Sequence, residues 1–557
     1  MNKLWCTLRT LLGRPAVAGL VVLGLSAMAI VATTPPATAQ DRHPMLTWHG
    51  CPNYSDEALR ALRYDDGQIP EFRRLWARTE CGTVSVPLDY DKPGGRQITI
   101  EVTRLRAVDQ TRRLGSLAVN PGGPGGSGYL MPIDVVMHNP TDALNDRYDL
   151  IGFDPRGVGY STKVNCPPSQ GSGTRTFGPI TEAVARQAYD DEVRNNQACS
   201  SYDPAFLREL TTANVARDLD QVRAALRQRS ISFLGVSWGT WLGAVYRSLF
   251  PGKVDRMWLD STAIPNPRLD AFEQGRAEAA AMDFSRMATW IAKYNERYGF
   301  GTTGTQVEAA LAQLEQSYDA NPRTFTDLDQ PLDGRIIGMF SADPSLGWPF
   351  DAQVLKELRD ATGPTAPPTV KEAFGGGGPR PTPPPGTPER LNRTMNQAVF
   401  CNEDTGPRDF DSAWAAYQQR LADFPVTGRI SGFTPGCAGW TLPAQPARLR
   451  HNGGSLVMSA HRYESPSPYQ WTIQMQAAIG GTVFTVNDDM HGSVLKEPEC
   501  AAKLVTYFDT GTPGTHGCEG VPVPEPMPSA RQLSTTAAPL TAAVHAWRPG
   551  DGLLGSD

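Results

Sequence analysis

The sequence predicts an α/β fold, a mostly parallel central sheet flanked by helices and interrupted by a helical insertion. Three observations predict it. Short β-branched runs alternate with segments of helical period between Cys81 and Asp260, a glycine-flanked serine sits between one such strand and one such helix, and the strand pattern lapses after Asp260 to resume only near Ser455. Strands alternating with helices call for crossover connections, hence a parallel sheet covered on both faces.

The first segment is read as an address rather than as structure. Lys3, Arg9 and Arg14 precede an apolar run that closes on Ala37-Thr38-Ala39, the three-part layout of an export signal over residues 1–39. A membrane anchor is the rival reading, since the apolar run approaches the ~18 residues needed to span. The small-x-small exit and the Thr/Pro-rich flank favour cleavage and a secreted, extracellular or cell-envelope protein with no stable membrane insertion. Cleavage removes three positive charges, taking the net charge from −6 to −9, so nucleic acid is not an expected partner.

Eight cysteines remain after Cys6 leaves with that segment: Cys51, Cys81, Cys166, Cys199, Cys401, Cys437, Cys500 and Cys518. An even number in an exported chain implies disulfides. Consecutive couples lie 18 to 36 residues apart, which favours sequential pairing among the roughly 105 connectivities that eight cysteines allow. No CxxC or His-rich spacing supports a metal site, and no cofactor is called for.

From Cys81 onward CGTVSVPLDY, QITIEVTRLRA and SLAVNPGGPGG read as strands closed by Gly, Pro or Asp, and YDLIGF as a fourth. Val215, Leu219, Val222 and Leu226 mark a helix, and SISFLGVSWGTWLGAVYRSLFPGKVDRMWLD reads strand, sharp turn, helix, strand. Residues 266–440 form the insertion between a core part at 40–265 and a second core part at 441–530. Within it Phe272, Met282, Phe284, Met287, Trp290 and Ile291 either line a groove or, more simply, fill a helical core. The Pro/Gly-rich stretch 362–389 has almost no apolar content and is expected to be a flexible excursion, and 531–557 a loose tail.

Gly235-Val236-Ser237-Trp238-Gly239 matches G-x-S-x-G. In a chain with 54 glycines the pentapeptide alone is weak, and its setting between the strand ISFLGV and the helical run TWLGAVYRSLF is what gives it weight. A serine at the tip of so tight a turn needs small neighbours. Such a hydroxyl also needs a base within hydrogen-bond reach. Of eight histidines only His491 follows a late strand (TVFTV) in a polar, glycine-containing loop, which fits the chain order serine, acid, histidine of α/β-hydrolase folds. Glu464, after SLVMSA, is the expected acid; Asp488 and Asp489 are too near His491 in sequence to reach its ring well. The tetrahedral intermediate needs donors, expected from the backbone N–H of Trp238 and of Gly123 in NPGGPGGSG. A phosphate cradle is excluded there because the Lys-Ser/Thr ending is missing and the prolines remove donors.

NPGGPGGSG, IGFDPRGVGYS, TTANVARDLDQVRAAL, GVSWGTWLGAVY and the closing MHG…C…YFDTGTPGTHGC together resemble the secreted bacterial tripeptidyl and prolyl tri/tetrapeptidyl aminopeptidases, relatives of proline iminopeptidase, from about Cys51 to Cys518. The resemblance implies an α/β-hydrolase fold with a helical cap and a serine exopeptidase that removes short peptides from a free N-terminus. Ser237, Glu464 and His491 carry over as nucleophile, acid and base, although the family more often has aspartate before Thr-Pro-Tyr where this chain has glutamate and Ser-Pro-Tyr. The family motif also has an acid two residues after a cap cysteine, pointing to Glu403 after Cys401 as the partner of the substrate ammonium; a Cys401–Cys437 bridge would fix it. The expected partners are peptide substrates, handled by a single chain. A carboxylesterase or lipase shares the same triad without needing Glu403, and a non-catalytic binding protein on the same scaffold is the rival of another class.

Overall fold

The computed structural model describes residues 45–138, 140–169, 179–375, 382–452 and 454–526. The expected export segment 1–39 and the expected loose tail 531–557 lie outside the described residues. Among the described residues ten strands form one sheet: β1 (Leu46–His49), β2 (Thr79–Pro87), β3 (Gln97–Leu105), β4 (Gly115–Asn120), β5 (Tyr148–Phe153), β6 (Ile231–Val236), β7 (Val254–Asp260), β8 (Ser455–His461), β9 (Thr482–Val486) and β10 (Gly517–Cys518). Their spatial order is β1-β2-β3-β5-β4-β6-β7-β8-β9-β10. β1, β2, β3 and β5 pair antiparallel, and every pair from β5 through β4 to β10 is parallel.

The central strands are buried on both faces, so they read as continuous apolar runs rather than alternating ones. Ala118, Ile151, Phe233, Met257 and Leu259 enter one core with the helices Thr212–Ala225 and Trp238–Leu249. Their strand neighbours Leu117, Val119, Leu150, Leu234 and Trp258 enter the other, against Ile69–Trp76 and Pro498–Thr510. Alternate residues of one strand thus serve two helical layers. β1 and β10, unforeseen in the sequence, are four and two residues long; the Cys51–Cys81 and Cys500–Cys518 disulfides lie beside them.

The insertion after β7 builds a third core from the helices Leu269–Lys293, Gly304–Ala320 and Trp348–Asp360. Phe284, Met287, Trp290 and Ile291 are buried in it, whereas Met282 is exposed. The Pro/Gly-rich stretch differs from the expected loose excursion. Pro368–Phe374 is a helix whose prolines fit its first turn, Val370 is buried in the cap core, and Glu357 accepts the Thr369 and Val370 N–H groups at 2.8 and 3.2 Å. Further on, Glu389 accepts the Gly159 N–H at 2.8 Å. Polar anchors, with Val370 and a Phe374–Phe340 edge contact on the cap core, hold a segment too poor in apolar residues to form a core of its own; residues 376–381 within it lie outside the described residues. The remaining disulfides join Cys166 to Cys199 and Cys401 to Cys437. Among the described residues no helix is long and apolar enough to cross a membrane.

Candidate active site

The end of β6 and the start of the helix Trp238–Leu249 meet at Ser237, whose backbone lies at φ 59°, ψ −129°. That is a sparsely populated conformation for a residue with a side chain, and it persists only where its surroundings enforce it. The enforcing contacts are local: the Ser237 N–H donates to the Asp260 carbonyl at 3.0 Å, and Thr240 Oγ1 donates to the Ser237 carbonyl at 2.6 Å. A Cβ on Gly239 would stand 2.6 Å from the Asn120 carbonyl oxygen, so strand β4 packs directly against the turn.

The loop after β4 comes equally close. Gly122 has φ +100°, and a Cβ there would lie 2.5 Å from the Val236 carbonyl oxygen and 2.9 Å from Ser237 Cβ. Gly123 follows and lines the same cavity as Ser237 and Trp238. Trp238 opens a helix, where backbone N–H groups have no intrahelical partner. Two main-chain segments therefore flank the Ser237 side chain, the arrangement an oxyanion site needs.

His491 sits in the loop after β9, turned by Gly492 at φ +66°, whose N–H donates to Ser261 Oγ at 2.8 Å. Its Nδ1 makes a short hydrogen bond with Glu464 Oε1, and its Nε2 is buried without a protein partner among the described residues. Glu464 itself is 1% exposed. His491 and Ser237 line one cavity of about 270 Å³. A carboxylate on Nδ1 fixes the tautomer that leaves Nε2 as the acceptor, the state a general base requires. The Tyr463 N–H ties the loop that presents Glu464 to the Asp488 carbonyl at 3.0 Å.

Glu403 ends the helix Arg393–Glu403 and lines the same cavity while only 2% exposed. Its carboxylate accepts hydrogen bonds from the Thr212 N–H and from Trp241 Nε1. Burial pushes the carboxyl above its ordinary range, and those two donors pull the other way. Phe272, Phe400 and Trp471 supply apolar wall. Of the six groove candidates, Phe272 is the one that faces this cavity.

Two acidic residues beside His491 have other partners. Asp489 accepts from Ser345 and Arg286 of the cap, and Asp488 from buried His461. Sequence reasoning missed Arg286, Ser345 and His461, because nothing local to those residues signals partners that lie 27 to 203 positions away.

Residues 116–358 match the family model for the alpha/beta hydrolase fold, and residues 422–538 match the model described as TAP-like protein. The tripeptidyl aminopeptidase of Streptomyces lividans is 28% identical over 475 residues, covering 81% of this chain and 85% of the relative. Serine protease Hip1 of Mycobacterium tuberculosis is 27% identical over 467 residues, covering 77% and 85%. Carboxylesterase B of Mycobacterium tuberculosis is 29% identical over 495 residues, covering 84% and 88%. Fold and comparisons define a serine hydrolase with a capped α/β-hydrolase core. Within that class the chain is a serine peptidase similar to the tripeptidyl aminopeptidases.

Proposed function

We propose that the protein is a secreted exopeptidase that releases short peptides, tripeptides foremost, from the free N-termini of peptides through an acyl-enzyme. In this reading His491 Nε2 takes the proton of Ser237 Oγ as the oxygen attacks the scissile carbonyl. The negative charge passes to the carbonyl oxygen, which receives hydrogen bonds from the Trp238 and Gly123 N–H groups. Glu464 stabilises the imidazolium, which protonates the leaving amine as the C–N bond breaks. Water, deprotonated by His491, then attacks the ester, and Ser237 departs with its proton restored.

The observation that carries the exopeptidase reading is Glu403, a buried carboxylate facing the cavity that Ser237 and His491 share. An ammonium group entering an apolar-walled site needs such a partner, since an unpaired buried charge is costly. The bridge Cys401–Cys437 anchors the helix that presents it. Fluorogenic mono-, di-, tri- and tetrapeptides with free and acetylated N-termini test the reading. Preference for free tripeptides supports it; activity confined to acetylated members removes it.

The carboxylesterase relative favours a second reading, ester hydrolysis with the same triad. It expects good turnover of amine-free acyl esters and indifference to Glu403→Gln.

A further inference from the structure

One fully buried histidine joins the strand ends from which the candidate triad is built. His461 is the last residue of β8, and its two ring nitrogens meet two carboxylates: Nδ1 lies 2.6 Å from Asp488 Oδ1, just beyond β9, and Nε2 lies 2.8 Å from Asp260 Oδ1, the last residue of β7. Each of these three residues adjoins one segment of the site. The Asp260 carbonyl accepts the Ser237 N–H at 3.0 Å. His461 precedes Glu464 by three positions, and Asp488 precedes His491 by three. The carboxylates are held in turn: Ser459 Oγ donates to Asp260 Oδ1 at 2.6 Å, and Ser493 Oγ and the Val521 N–H donate to Asp488 Oδ2 at 2.7 and 2.9 Å.

The chemistry of the ring decides its charge. A neutral imidazole donates from one nitrogen only, so between two ionised carboxylates it makes both bonds only as an imidazolium. Burial disfavours that cation, but the Asp260 carboxylate, aided by Asp488 and Glu464, outweighs burial and holds His461 well above the usual imidazole range. Asp488 moves oppositely: burial raises it, and the bond to His461 with its other donors leaves it below the usual range.

Resting on the triad reading above, we propose that His461 is a positioning residue: a buried imidazolium clamp that sets the Ser237, Glu464 and His491 segments at one height and places a positive charge behind Glu464. It touches no substrate and acts through Asp260 and Asp488. Without it, two carboxylates flanking the end of β8, one at the end of β7 and one just beyond β9, would repel, and the loops they anchor would separate.

The test is His461→Gln, which keeps one donor, one acceptor and much of the volume but cannot carry charge. With wild-type and variant protein matched for folded fraction by circular dichroism, tripeptide kinetics and fluorophosphonate labelling are measured across pH. The clamp predicts KM within about twofold of wild type and kcat lower by on the order of 10- to 100-fold, as misplacement of a catalytic group by about an ångström produces. It also predicts that the acid limb of kcat/KM moves up, because loss of a buried cation leaves the surrounding carboxylates less compensated. The other charged groups around His491, namely Asp489 with Arg286, Lys496, Arg268, Arg276 and Glu403, are the same in both proteins. Unchanged kcat and acid limb per folded molecule overturn the clamp while leaving the triad intact. Failure of wild-type Ser237 to label overturns the triad reading and the clamp with it. Should the variant not fold, 15N-histidine NMR of the wild-type protein decides: one histidine with both ring nitrogens protonated above pH 8 supports the clamp, and its absence overturns it.

Discussion

Asp489 and Arg286 form an ion pair of 2.9 Å between the loop that carries His491 and the cap helix Leu269–Lys293. The carboxylate is fully buried and also accepts the Ser345 N–H at 3.0 Å, while the Arg286 guanidinium lies 3.8 Å from the ring centre of Tyr463, the residue before Glu464. One cap arginine therefore touches both loops that supply the candidate base and acid.

Arg286→Ala should weaken that connection without touching substrate. Removing one partner of a largely buried pair leaves a charge unpaired, which costs about 3 kcal/mol. The expected result is a lower thermal midpoint and a kcat/KM for tripeptides reduced on the order of tenfold. Scanning calorimetry and steady-state kinetics on one preparation check it; unchanged values in both would show that the pair contributes nothing.

Glu403→Gln separates amine recognition from chemistry. For free-amine tripeptides KM should rise at least about tenfold, whereas hydrolysis of a small neutral ester should stay within about twofold. Equal losses on both substrates would mean that Glu403 supports the cavity wall rather than the ammonium.

Gly122→Ala probes the approach of the β4 loop to the serine turn. A methyl there would stand 2.5 Å from the Val236 carbonyl oxygen on a backbone at φ +100°, so the loop must retreat from the oxyanion side. The expected loss is about 100-fold in kcat, comparable to deleting one oxyanion donor. Near-normal kcat in a folded variant would place the donors elsewhere.

The cap core carries a pH dependence of its own. Burial, with the nearby Asp489 carboxylate, pushes Asp283 up to about 8 despite Arg286, and burial likewise holds Glu315 at about 8. Raised in the folded state, these groups bind protons more tightly than in the unfolded chain. Their contribution to stability is full below the ordinary carboxyl range near pH 4 and is lost as pH rises through about 8. Thermal midpoints measured from pH 5 to 9 should fall more steeply for wild type than for Asp283→Asn, in which the Glu315 contribution remains; equal slopes would contradict it.

The sequence announces what is local and hides what is assembled. Ser237 is legible because strand, turn and helix are contiguous around it, and His491 because a late strand ends in a polar loop with Gly492. Glu464 is legible by its place after β8. His461 is not, because its meaning comes from Asp260 and Asp488, brought to it by two neighbouring strands. Asp489 looks in sequence like a candidate acid set aside for proximity, and its actual partners come from the cap. The helix Pro368–Phe374 escapes composition-based reading because a few apolar residues, Val370 and Phe374 foremost, and the Glu357 carboxylate hold it to the distant cap core.

The most direct measurement is peptide mapping after reaction with a fluorophosphonate, on wild type, His491→Ala and Glu464→Gln. The account predicts a phosphonyl adduct on Ser237 in wild type, almost none in His491→Ala, and a reduced labelling rate in Glu464→Gln. Labelling on another serine, or equal labelling of all three proteins at Ser237, would contradict it.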